Sequence, residues 1–268
     1  MTAADPALWA LNRQAEGIWQ AVAPLLPGFS VEVLPSIAST NTELMRRGRE
    51  GALAPVLLVA AQQTAGRGRL GRGWTSQAGD SLTFSLGLPL QPQDWSGLSL
   101  AVGLSLAEAL HPEVRLKWPN DLWWQARKLG GILVETAGVG AQRWTVVGVG
   151  LNLATPALPP ADPAATLPPQ PATGLRALGG PEAERDAGQW LAALVPALAQ
   201  GLQQFEAQGF APFVDRFAAR DALRGQRVRL SDGREGLADG VAPDGALRLQ
   251  TEAGLQWVHS GEVSVRPC

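Results

Sequence analysis

The 268-residue chain, 46% hydrophobic and 17% charged, is long enough for one large domain or two smaller ones with a full core. Its net charge of −2 excludes a general attraction to nucleic acid or to an acidic membrane surface, and its single cysteine, the terminal Cys268, excludes a disulfide framework and a thiolate metal site. No apolar run reaches the length of a membrane span and no signal peptide opens the chain, so the expected location is the reducing cytoplasm.

Residues Leu8 to Leu26 carry apolar side chains at helical spacing, and Pro27-Gly28 ends that helix. Phe29 to Leu34 predicts a strand. Ser39 or Thr40 can cap a helix through Arg46, with Glu43 placed for a capping box. Val56 to Ala61 is a short buried strand by composition. Gln63 to Trp74 has no periodicity and is expected to be a loop. Strands follow at Ser81 to Leu86, Val114 to Trp118, Leu122 to Trp124, Ile132 to Thr136 and Trp144 to Leu151, with a helix at Leu98 to Leu110 between the first two. Pro156 to Pro171, rich in Pro and Ala, is expected to be a surface connection. Helices are expected near Ala183 to Glu206 and Phe210 to Arg220. From Gln226 to Pro267 the pattern becomes about five short alternating strands, with turns at 231–233, 243–245 and 252–254.

Two of the 22 Lys and Arg residues are lysines, Lys117 and Lys128, and both lie in one short cassette. Lys is a compact ammonium and Arg a planar fork, so the two are not interchangeable at a site. The pairing fits either a requirement for an ammonium or two surface lysines that fall together by chance. Trp118-Pro119 breaks the strand before Asn120 and Asp121, and Gly130-Gly131 after Lys128 lets a ligand lie against the backbone. Trp118, Trp123 and Trp124 are expected to pack in the core, and His111 and His259 to be structural or surface residues.

The loop Gln63-Thr-Ala-Gly-Arg-Gly-Arg-Leu-Gly-Arg-Gly-Trp74 brings three guanidinium groups and four glycines to one segment. Such a loop grips a phosphate or carboxylate. Ordering it costs roughly 1–2 kcal/mol per residue, and each charge-assisted hydrogen bond returns about 1.5–3 kcal/mol. It is expected to close only on a ligand that engages several arginines. Taken alone it fits equally a solvated basic turn or a nucleic-acid-binding Arg/Gly tract. Gly148-Val-Gly-Leu-Asn152 lacks the third glycine and following helix of a dinucleotide fingerprint, and alone it marks a tight strand end.

In combination, Ser39-Thr40-Asn41, the Gly-Arg-Gly-Arg loop, Lys117-Trp-Pro-Asn-Asp121, Arg127-Lys-Leu-Gly-Gly-Ile-Leu-Val-Glu135 and Gly148-Val-Gly-Leu-Asn152 occur in the order found in biotin–protein ligases. The chain resembles that family strongly from about Pro35 to Asn152 and more weakly from Phe205 to Arg266. The resemblance implies an α+β fold, a mixed β-sheet with flanking helices (residues 1–223), followed by a small SH3-like β-barrel (residues 224–268). It implies activation of biotin by ATP to biotinyl-5′-AMP and pyrophosphate, with Mg²⁺ arriving on ATP. Transfer to a lysine of a biotin carboxyl carrier protein follows.

The resemblance further implies that Lys128 bridges the biotin carboxylate and the α-phosphate, with Arg69, Arg67 and Arg72 clamping the anions. Lys117 serves the ATP phosphates or stays at the site edge, and Asp121 orients the metal or the incoming amine. Ser39, Thr40, Gln63, Gly66, Arg67, Arg69, Lys128, Gly131, Ile132 and Gly148 line the biotin pocket. Asn120, Asn152, Gly150, Arg72 and Trp74 face the adenylate, where Trp74 stacks on adenine or is structural. Glu262 and Arg266 match positions near the nucleotide.

No protein-bound metal site is expected. Some family members carry an N-terminal winged helix, which needs roughly 60 residues. About 35 residues precede the first motif here, so a monofunctional enzyme without DNA is expected. The resemblance allows a homodimer. A lipoate ligase or octanoyl transferase on the same fold and, in a different class, a single-stranded nucleic-acid-binding protein stay open as alternatives.

Overall fold

A computed structural model describes residues 5–139, 142–157, 170–259 and 263–268. Residues 5–37 hold one helix and one strand. In α1 (Pro6–Val22), the Asp5 side chain accepts from the Ala7 amide at 2.9 Å and Pro6 takes the first turn, where a missing N–H costs nothing. The helix buries Leu11, Ile18 and Val22. β1 (Ser30–Ile37) runs longer than expected and pairs in parallel with β2 (Val56–Gln63). Between them lies α2 (Thr40–Arg49), capped by the Ser39 side chain. Glu43 does not complete a capping box. With Ser39 as cap, Glu43 falls one residue past the capping-box position, and its carboxylate accepts instead from Arg46 and Arg47, both at 2.8 Å.

The Gly/Arg segment, expected to be without regular structure, holds a minimal hairpin, β3 (Gly66–Arg67) paired with β4 (Gly73–Trp74). A Cβ on Gly66 would come within 2.5 Å of the Trp74 carbonyl, so glycine permits this close pairing. At the tip, Leu70 adopts φ 57°, a left-handed conformation unusual for a branched side chain.

β5 (Ser81–Pro89) leads to α3 (Leu98–Leu110), a helix buried almost all round and therefore central to the domain. Then follow β6 (Arg115–Lys117), β7 (Asp121–Trp124), β8 (Arg127–Val139) and β9 (Gln142–Asn152). The sheet order is β1-β2-β5-β9-β8-β7-β6, antiparallel except for β1 and β2. Strand alternation divides its side chains. Leu57, Val59, Phe84 and Val149 join the main core under α1, α3 and α4 (Ala187–Gln208). Val56, Leu58, Trp144 and Val146 form a smaller core with Leu44 and Met45 of α2. The Pro-rich connection expected at 156–171 falls mostly outside the described residues.

The second carboxy-proximal helix is shorter than expected. Only α5 (Val214–Ala218) is α-helical, after a 3₁₀ turn at Ala211–Phe213. The following residues run beside β6 instead, where the Leu116 amide donates to the Arg220 carbonyl (2.8 Å) and the Ala222 amide to the Leu116 carbonyl (2.9 Å).

The five expected tail strands are β10 (Arg227–Leu230), β11 (Glu235–Val241), β12 (Leu247–Thr251), β13 (Gly254–Val258) and β14 (Val265–Pro267). They form one antiparallel sheet, β13-β12-β11-β10-β14, whose outer strands are not paired to each other among the described residues. Gly233, Gly245 and Gly254 take positive φ at its three turns.

Candidate active site

β6 and β7 form a hairpin in which Lys117 and Asp121 are register partners, so both side chains leave the same face. Asp121 is also paired with Gly131 of β8. A Cβ at Gly131 would lie 3.4 Å from Lys128 Nζ, so the glycine leaves that ammonium room to reach across. Both lysines therefore converge on one carboxylate. Lys117 Nζ is 3.2 Å from Asp121 Oδ2, and Lys128 Nζ is 2.7 Å from Oδ1.

Asp121 and Lys117 are buried, and Lys128 is 28% exposed. Desolvation opposes ionisation of Asp121, but Lys128 and Lys117 outweigh it and hold the carboxyl down at about 2. At Lys117 burial wins. Its pKa falls to about 8, because the shared carboxylate repays only part of the lost hydration and Arg266 adds a like charge.

These groups form one wall of a cavity of about 230 Å³. A polar network closes another. Gln63 Oε1 accepts from the Thr40 amide (2.7 Å) and hydroxyl (3.0 Å), the Thr40 and Ser85 hydroxyls are 2.7 Å apart, and Ser85 donates to Asn41 Oδ1 at 2.6 Å. Asn41 Nδ2 then donates to Glu135 Oε2 at 3.0 Å. The Gly148-Val-Gly150 spacing follows from this wall. A Cβ on Gly148 would fall 2.0 Å from Asn41 Oδ1, and one on Gly150 2.5 Å from the Trp74 indole. Val149 points the other way, into the core.

The Gly/Arg hairpin forms a third wall, with its three arginines spread over separate partners. Arg67 lies 3.9 Å from Glu135, Arg69 Nη1 donates to Asn120 Oδ1 at 3.3 Å, and Arg72 Nη2 donates to Ser264 Oγ at 3.0 Å. Burial works against the charge of Arg69. Asn120 is itself fixed, its Nδ2 donating to the Ile132 carbonyl at 2.8 Å.

The structure brings Ser39, Thr40, Gln63, Arg67, Arg69, Arg72, Trp74, Lys117, Asn120, Asp121, Lys128, Gly131, Ile132, Gly148 and Gly150 to this one cavity. Gly66 stands behind it, against Trp74 and Gln63. Asn152 also stands behind it, donating to the carbonyls of Thr173 (2.9 Å) and Lys128 (3.4 Å) and so fixing the segment beside Lys128. The expected core packing of Trp118, Trp123 and Trp124 holds, at 0%, 6% and 5% exposure.

Sequence reasoning missed several wall residues. Ser85 gave no local signal, because its partners are 44 and 45 residues away. Gln170 likewise reaches Asp121 from a distant segment. With its amide oriented to satisfy both ends, it donates to Asp121 Oδ2 at 3.3 Å and accepts from Trp123 Nε1 at 2.8 Å. Asn41 stood in a recognised motif but was not assigned to the site. From the barrel, the unforeseen Ser264 and Val265 join the wall beside Arg266, which the resemblance puts near the nucleotide, whereas Glu262 lies outside the described residues.

The cavity gathers one buried and one partly exposed ammonium group and a guanidinium-bearing hairpin, a lining suited to anionic ligands, and the family comparisons place the chain among the ligases. The model of the biotin/lipoate A/B protein ligase family matches residues 33–152, that of the biotin protein ligase C-terminal domain matches residues 224–266, and the chain belongs to this family.

Its relatives are biotin ligases. The chain is 36% identical to the bifunctional ligase/repressor BirA of Escherichia coli, over 90% of this chain and 75% of that protein. It is 35% identical to the biotin–[acetyl-CoA-carboxylase] ligases of Mycobacterium tuberculosis (87% and 88% covered) and Paracoccus denitrificans (84% and 96%). The biotin protein ligase from Aquifex aeolicus, solved in complex with biotin and ATP, superposes with a TM-score of 0.72 at 30% identity, covering 89% of this chain and 99% of that one.

Proposed function

We propose that the cavity holds biotin and ATP end to end, with Lys128 between the biotin carboxylate and the α-phosphate. The activity is that of a biotin–protein ligase: biotin and ATP give biotinyl-5′-AMP and pyrophosphate, and biotin then passes to a lysine of a biotin carrier protein, forming a C–N bond. The observation that carries the residue assignment is the convergence of the chain's two lysines on Asp121 at the cavity wall.

The first step brings together two anions that repel each other. Lys128 supplies a partly exposed ammonium whose only charged anchor among the described residues is Asp121. Exchange of that contact for the two reacting oxyanions screens their repulsion and stabilises charge in the transition state. Arg67 and Arg69 reach the carboxylate end, and Arg72, Lys117 and Arg266 reach the phosphates.

Ser39, Thr40, Gln63, Gly131, Ile132 and Gly148 surround biotin, with Gly66 supporting the hairpin. Asn120, Gly150 and Trp74 face the adenylate, while Asn152 fixes its border. Closure of the hairpin keeps water from the mixed anhydride.

Once Lys128 has turned to the ligand, Asp121 keeps Oδ2 on Lys117 and has Oδ1 open to orient the carrier's lysine amine. Its two ammonium neighbours make it a poor divalent-cation ligand. No cluster of three or more His, Cys, Asp or Glu occurs among the described residues, and Mg²⁺ comes to this site on the ATP phosphates, whose charge it reduces.

The division into a catalytic unit (1–223) and a barrel (224–268) belongs to the same reading, supported by the two separate sheets. So does a cytoplasmic location, which accords with one exposed cysteine. No described helix is long and apolar enough to cross a membrane. Residues 6–37 are a helix and a strand of the catalytic unit, and the net charge of −2 supplies no general attraction to DNA. Pairing of two copies is tested by sedimentation equilibrium with and without biotin and ATP.

The decisive assay is exchange of pyrophosphate into ATP. It is expected to require biotin and not to respond to lipoate. Exchange with lipoate alone would move the assignment to the lipoate branch of the family.

A further inference from the structure

Lys117 sits between one residue tied to the segment that leads to the barrel and one tied to the barrel itself. The backbone of Leu116 bonds to Arg220 and Ala222 in the segment leading to the barrel. On the other side, the Trp118 indole N–H donates to the Gly245 carbonyl at 3.0 Å. Gly245 lies in the β11–β12 turn with φ +78°, where an added Cβ would come within 2.8 Å of the Gly97 Cα at the start of α3. The turn is therefore seated against the catalytic unit and cannot slide without breaking the indole bond.

The same barrel carries Arg266, whose Nε is buried without a partner among the described residues and whose charge acts unfavourably on Lys117. Two like charges facing one cavity repel; Asp121 attracts both, and the seating of the barrel fixes the distance at which they stand. A site so held is complementary to a polyanion before the polyanion arrives, which lowers the reorganisation needed on binding.

We propose that Trp118 is a positioning residue: its hydrogen bond to Gly245 clamps the barrel against the Lys117 hairpin and holds Arg266 and Lys117 together as a preformed site for the ATP phosphates. This rests on the placement of ATP proposed above. It assigns the barrel a role in ATP affinity that runs through a core tryptophan, not through contact alone.

The test is Trp118→Phe, which keeps an aromatic ring and deletes the donor. Loss of one buried hydrogen bond predicts a rise of about tenfold in the KM for ATP in biotin-dependent exchange. The kcat and the calorimetric affinity for biotin are expected to stay near wild type. Because the clamp acts through Arg266, Trp118→Phe is expected to add little to Arg266→Met in a double-mutant cycle, whereas a general loosening of the fold would add in full. Should Trp118→Phe fold poorly, benzothienylalanine at position 118 keeps the ring's shape and removes only the N–H.

An unchanged KM for ATP, or additive effects with Arg266→Met, would overturn the clamp while leaving the ligase reading intact. Wild-type protein without biotin-dependent exchange would remove that reading and the clamp with it.

Discussion

The lysine hairpin and the Gly/Arg hairpin face each other across one cavity, yet they handle charge in opposite ways. Lys117 and Asp121 are 2% and 7% exposed and paired within the fold. Arg67 is 52% exposed and lies at the limit of an ion pair, 3.9 Å from Glu135. Buried charge must be compensated when the chain folds, since its desolvation costs several kcal/mol per ion. Exposed charge is hydrated and loosely paired, so it can be redirected when a ligand arrives at little cost. Lys117 and Asp121 are thus fixed by folding, and Arg67 is available for recruitment by substrate.

The strongest break in this comparison is Asp121→Asn, which leaves two ammonium groups facing a neutral amide. Removal of one partner from a buried ionic cluster predicts a loss of about 3–5 kcal/mol in urea or thermal unfolding. The pH dependence sharpens the point. Asp121 in the folded protein titrates near 2, below its ordinary 3.8. Its stabilisation is therefore full above about pH 4 and lost as pH falls through 2. Asp121→Asn is expected to lack that acid limb, and an unchanged acid unfolding curve would show that the carboxylate is not held by its lysines.

Lys128→Arg comes next. A guanidinium keeps the charge but not the compact ammonium that fits beside Gly131. Adenylation is expected to fall by about 10²–10³-fold, the loss found on removing one transition-state donor. Thermal stability should change little, and near-normal exchange would relocate the bridging role.

A third, smaller effect is a proton. Burial holds the Lys117 pKa down at about 8. Phosphates placed beside it favour the charged form, so ATP binding near pH 9 is expected to take up a proton that binding near pH 6 does not. Calorimetry in buffers of different ionisation enthalpy reads this directly, and identical proton counts at both pH values would place the phosphates elsewhere. The least effect expected on stability is from Arg67→Gln, within about 1 kcal/mol. Its KM for biotin should rise nonetheless. A large fall in melting temperature would show that Arg67, too, is fixed by folding.

Particular residues show what was legible beforehand. The two lysines, the Gly/Arg segment and the Gly-Val-Gly step are compositional anomalies, and each marks a place where a specific charge or the absence of a side chain is required. They could be read along the chain without coordinates. Glu43 was misjudged because Ser39 and Thr40 can each start the helix, and only with Thr40 as cap would Glu43 stand at the capping-box position. The Gly/Arg hairpin was taken for a loop because two-residue strands carry no periodicity.

The sequence by itself determined the chemistry available: which ammonium, guanidinium and carboxylate groups exist, and where glycine opens the backbone. Only the tertiary structure decided who meets whom. Gln170 and the barrel's Arg266 enter the cavity from distant segments, Ser85 braces its wall from behind through Thr40 and Asn41, and Lys117 and Lys128 share one carboxylate because strand register places them there. Register and domain seating arise from long-range packing, which leaves no mark on the few residues around each side chain.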